Sequence, residues 1–101
     1  MNTKRLLEVT AKQRRVPGII FVDGVAGRRA RVAGSGLEVC EVIMSYYEVD
    51  KDKAQLRDLY DWLTDSQIDA ALAYYEAYPE EIDAWLQESE RLQRVHSGRT
   101  A

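Results

Sequence analysis

A chain of 101 residues, 46% of them hydrophobic, holds one domain with a modest core and no second one. It has no apolar run near the roughly 20 residues that span a bilayer, and its charged N-terminus lacks the apolar stretch of a secretory signal. One cysteine excludes an internal disulfide and points to a reducing, cytoplasmic setting. The net charge of −3 conceals a split, since residues 1–36 hold eight basic and two acidic groups (net +6) and residues 37–101 six basic and fifteen acidic ones (net −9).

The basic part begins indistinctly. Leu6, Leu7 and Val9 support at most a weak turn of helix, and Pro17-Gly18 interrupts whatever precedes it. Ile19-Ile20-Phe21-Val22 is a predicted strand by its β-branched and aromatic content. Asp23-Gly24 is the predicted turn, Arg28 to Val32 the returning strand, and Ala33-Gly34-Ser35-Gly36 a flexible link. A lone two-stranded hairpin is marginal in water. A second copy of the same hairpin is its simplest partner, so a homodimer through this arm is expected.

Beyond the link the pattern turns helical. Val39, Val42, Ile43, Tyr46 and Tyr47 keep helical spacing, with Glu38 and Glu41 where the helix dipole favours them. Two helices follow at about 51–61 and 65–77, joined by a turn near Asp61–Thr64, as in a helix-turn-helix. Thr64 with Gln67 forms a capping box, and Ile68, Ala71, Leu72 and Tyr75 recur on one face. Tyr78-Pro79 ends that run; Pro79 opens a last helix with Glu80 and Glu81 in its first turn and Ile82, Trp85, Leu86 and Leu92 on its apolar side. Residues 96–101 read as a frayed tail. The expected fold is therefore mainly α: a single domain with a basic hairpin arm over 1–36 and a helix-turn-helix-like bundle of about four helices over 37–95.

Two blocks of this chain resemble the bacterial domain of unknown function numbered 433. The first runs Gly27-Arg28-Arg29-Ala30-Arg31-Val32-Ala33-Gly34-Ser35-Gly36-Leu37-Glu38-Val39, and the second is Leu63-Thr64 with Ile68, Ala71, Leu72 and Tyr74. The likeness covers about residues 17–90. Gly36 stands where that family usually has Arg, and Glu38 where it usually has Pro, so nothing the family's Arg does is carried over. The resemblance implies a small helix-turn-helix protein with an N-terminal β-arm, often dimeric. It also implies an antitoxin of a toxin–antitoxin pair whose toxin is a PIN-like ribonuclease.

The inventory for catalysis is thin. Cys40 sits among Val39, Val42 and Ile43, where a structural thiol outweighs a reactive one. His96 lies in the predicted tail, and one Cys with one His does not build a usual zinc site. The glycine pairs Gly24/Gly27 and Gly34/Gly36 lack the strand–loop–helix context and the Lys of a phosphate loop. No catalytic residue, metal or cofactor is expected.

DNA contact is the first thought for a helix-turn-helix. Residues 65–77, however, contain Asp65, Asp69 and Glu76 and neither Lys nor Arg, so phosphates would repel this helix. Arg28, Arg29 and Arg31 are the better DNA-binding candidates. Arg29 and Arg31 share a strand face, and a dimer would double it into a groove-entering ribbon. The alternative is that these arginines pair with acidic residues of the same assembly. For a partner protein, Ala70, Ala73, Tyr74 and Ala77 form a second stripe on the 65–77 helix that Trp62 can join. The alternative there is a helix buried on two sides. The functional expectation is a non-enzymatic, antitoxin-like regulator that binds a toxin protein and contacts DNA through the arm. A pure interaction module without DNA contact stands as the other reading.

Overall fold

In the computed structural model the described residues are 3–24 and 27–99, with side chains described for 9–23, 27–88, 90 and 91. Among them five helices and one antiparallel hairpin follow in the order α1 (Thr3–Arg15), β1 (Ile19–Gly24), β2 (Gly27–Val32), α2 (Val39–Glu48), α3 (Lys53–Leu59), α4 (Asp65–Ala77) and α5 (Pro79–Arg99). The mainly α fold with an N-terminal hairpin is thus the observed one.

α1 is a full helix of 13 residues where sequence periodicity supports only a turn. Lys12, Arg14 and Arg15 fill its last turn, where cations complement the negative end of the helix dipole. Val16 then enters the core, and Gly18 turns the chain with φ +91°. A Cβ at Gly18 would stand 3.3 Å from the Ala70 Cβ, so glycine lets the hairpin approach α4 closely.

The strands pair from Ile19 opposite Val32 to Gly24 opposite Gly27. This corrects the expected turn at Asp23-Gly24: both are strand residues, and the two residues joining the strands lie outside the described ones. The reason is visible in the cross-strand pair, in which Arg28 Nε donates to Asp23 Oδ1 at 2.9 Å and carries the ladder one step further.

The hairpin is not a free arm. Ile19, Ala30 and Val32 belong to the same buried cluster as Val39, Val42 and Ile43 of α2, Leu56 of α3, Ile68, Ala71 and Tyr74 of α4, and Ile82 of α5. Phe21 packs edge-on against Tyr74 with ring centroids 6.1 Å apart. The outer edge of β2 is partly used as well, by the Val32 N–H to Leu37 carbonyl bond of 2.9 Å and a bridge between Arg31 and Glu38. The marginal hairpin is therefore stabilised by its own helices. That removes the physical reason for expecting a second copy on this apolar face.

The helices largely follow their patterns. At α2 the Glu38 N–H donates to Glu41 Oε1, and Cys40 joins Val39, Val42 and Ile43 in the core. α3 is shorter than expected and starts at an Asp52 cap that accepts from the Ala54 and Gln55 N–H groups. α4 carries the predicted capping box, with Gln67 N–H to Thr64 Oγ1 at 3.1 Å and Thr64 N–H to Gln67 Oε1 at 2.9 Å. Gln67 Nε2 also reaches the Ala33 carbonyl at 3.1 Å, tying the cap to the link. α5 has Ile82 fully buried and Trp85 and Leu86 packed against the cluster, as its pattern predicts. It then continues to Arg99, so residues 96–99 are helical and not frayed; the Leu92 and His96 side chains lie outside the described ones.

Candidate functional site

The three arginines assigned to DNA lie on β2, and the structure engages each of them within the chain. Arg28 faces Asp23, whose carboxylate holds the guanidinium's last proton more firmly than usual. Arg29 has only 15% of its side chain exposed; its Nη1 lies 3.6 Å from Glu38 Oε1, and the guanidinium caps the Trp85 ring at 4.9 Å. Arg31 Nη1 donates to the Gly36 carbonyl at 3.4 Å, and its Nε is buried with no hydrogen-bond partner among the described residues. Strand alternation does place Arg29 and Arg31 on one face. It cannot reveal that Trp85 of α5 and Glu38 lie against Arg29 and cover most of its side chain.

The acidic helix α4 is paired in a similar way. Arg57 of α3 meets Asp65, and Lys53 of α3 meets Asp69, so α3 partly neutralises the carboxylates of α4. Both cations of α3 thus face carboxylates of α4.

Of the proposed partner stripe, the structure brings Ala70 and Tyr74 into the core and leaves the rest outside it. Tyr74 is fully buried, donates its O–H to Glu81 Oε1 at 2.8 Å, and packs on Tyr78 with centroids 4.9 Å apart. Burial, reinforced by the Glu81 carboxylate, holds the Tyr74 phenol in its protonated form far above the usual range. Ala77 is half-buried and Ala73 exposed. Tyr75, expected in the core, is only half-buried and hydrogen-bonds Tyr47 and Asp83. The helix is buried on two sides because α2 packs along it and the hairpin and α5 meet over Tyr74. Helical spacing alone does not show that.

Trp62 behaves differently. It is 57% exposed in the α3–α4 corner, and Leu59, the last residue of α3, is 54% exposed beside it in sequence. Tyr60 supports the corner, its ring edge-on to Trp62 at 6.1 Å and its O–H 2.8 Å from Ser45 Oγ. Leu59 escapes sequence reasoning because it is spaced three residues from the buried Leu56 and so shares its predicted face. α3 ends at Leu59, and a turn over residues 60–62 leads the chain on to the buried Leu63.

The Cys40 thiol is 4% exposed, donates to Glu38 Oε1 at 3.3 Å, and is pushed up to about 12 by burial and by that carboxylate. The thiolate is the reactive form, and burial and Glu38 both disfavour it here. Among the described residues no cluster of His, Cys, Asp and Glu is placed to hold a metal ion, and no helix is long and apolar enough to cross a membrane. The chain matches no protein-family profile, no curated protein and no solved structure.

Proposed function

We propose that this chain is a non-enzymatic regulator of the antitoxin kind, which acts by holding a partner protein at its α3–α4 corner. The observation that carries the reading is the pair Leu59 and Trp62, two large apolar side chains more than half exposed on a small protein. Tryptophan is enriched among residues that dominate binding energy, and exposed apolar patches mark interaction surfaces. The resemblance to the family numbered 433 supports a PIN-like toxin as that partner and a homodimer as the assembly. DNA contact through the basic arm is the second reading. It draws on the +6 charge of residues 1–36 and on Arg14, which is exposed and has no ion pair among the described residues.

Co-expression with the product of the neighbouring open reading frame tests the leading reading. The wild-type chain should co-purify with it, and the Leu59→Glu/Trp62→Glu variant should lose that partner while keeping its helical circular dichroism. Retention of the partner by the folded variant would refute the corner as the docking site.

A further inference from the structure

Between α2 and α5 lies an open groove of about 380 Å³, lined by Met44, Tyr47, Glu48, Leu86 and Glu90. Its floor is apolar: Met44 and Leu86 are half-buried, and Tyr47 is 40% exposed. Its rims are acidic, with Glu48 on α2 and Glu90 on α5, both exposed and neither in an ion pair among the described residues. Glu48 is also the last residue of α2, whose final turn carries no basic residue. A carboxylate there adds to the negative end of the helix dipole, so Glu48 marks a negative end of the groove. Two cations are recorded nearby, neither of them paired with Glu48 or Glu90. Lys51 lies over the Tyr47 ring at 5.3 Å, and Arg91 is 4.0 Å from Glu88.

We propose that this groove is a second docking surface, separate from the Leu59–Trp62 corner, and that its occupant is an amphipathic helix with an apolar stripe flanked by Lys or Arg. Two arguments select that occupant. Both walls are helices, whose backbone groups are satisfied internally, so an extended strand would find no ladder to join, whereas a helix packs its ridges into such a groove. The rim charges select the flanks: a cation at each side would face Glu48 or Glu90, and the one beside Glu48 would also offset the α2 dipole. An acidic helix would add like charge to both rims.

The test is a titration of the full chain, followed by amide chemical shifts, with two synthetic 14-residue helical peptides. One carries Leu at i, i+3, i+4 and i+7 with Lys at the flanks; its twin carries Glu in place of Lys. The Lys peptide should shift the amides of Met44, Tyr47, Leu86 and Glu90 and bind roughly fivefold more tightly than the Glu twin, as two exposed ion pairs would provide. In the Glu48→Gln/Glu90→Gln variant that preference should vanish. The proposal is overturned if neither peptide shifts these amides, if the shifts map to Leu59 and Trp62 instead, or if the preference survives in the variant. The first and last outcomes bear only on the groove and leave the corner to its own test.

Discussion

The basic hairpin and the α3–α4 corner point in opposite directions once their surroundings are known. The hairpin holds three arginines within four residues and has the composition of a ligand-binding arm. Its inner face nevertheless lies in the core, and its arginines face Asp23, Glu38, Trp85 and the Gly36 carbonyl. The corner has the composition of core, yet Leu59 and Trp62 remain open to solvent. Charge along a sequence thus marks where neutralising partners are needed as readily as where a ligand binds. A contiguous apolar patch left outside a small core is the more specific sign of a partner.

The sharpest way to break this comparison is to damage the side it describes as internal. Tyr74→Ala should be the most disruptive change, since it deletes a fully buried ring and leaves Glu81 without its phenol donor. A loss of about 3–5 kcal/mol is expected for a truncated core aromatic. For a 101-residue domain that removes much or all of the stability, and thermal denaturation should show a lost or strongly lowered transition. A small change would mean that the α4 stripe is open surface after all.

Thr64→Ala comes next. The hydroxyl accepts from the Gln67 N–H at the start of α4, and losing such a cap costs ~1 kcal/mol. The midpoint should fall by roughly 4–8 °C in calorimetry, with no change at the corner itself.

A smaller effect belongs to Cys40. Its folded pKa is raised from an ordinary 9.0 to about 12, so the folded state keeps the thiol proton more tightly than the unfolded state does. That contribution is complete below pH 9.0 and is lost as the pH rises from there towards about 12. Urea unfolding should therefore show stability falling above pH 9, and Cys40→Ala should flatten the first part of the decline. An equally steep decline in the variant would assign it to the buried tyrosine.

Where local rules act alone, the sequence was readable. The Thr64–Gln67 box, the start of α5 at Pro79 and the β-strand at Ile19 each depend on residues close in the chain. The Val39, Val42 and Ile43 face of α2 is periodic for the same reason. What was not readable depends on which element covers which. The choice of Tyr74 over Tyr75 for the core is made by Phe21 and Glu81, which come from the hairpin and from α5. The withdrawal of Arg29 is made by Trp85, 56 positions further along. α1 was faint because few of its residues are apolar. It is held by ties such as the Lys12 Nζ to Glu81 Oε2 ion pair of 2.7 Å, and by Lys12 lying 5.0 Å from the centre of the Tyr78 ring. No local pattern encodes such contacts.

The central claim is that the basic hairpin is part of the one core and not an appended arm. Native-state hydrogen exchange tests it most directly, because it reports the opening free energy of each amide separately. The account predicts that the amides of Ile20, Arg29 and Arg31, which face the partner strand in the hydrogen-bonded pairs of the ladder, and that of Val32, bonded to the Leu37 carbonyl, exchange with the same free energy as those of Ile43 and Ile68, the value for global unfolding. Hairpin amides that exchange orders of magnitude faster, while α2 and α4 stay protected, would contradict it.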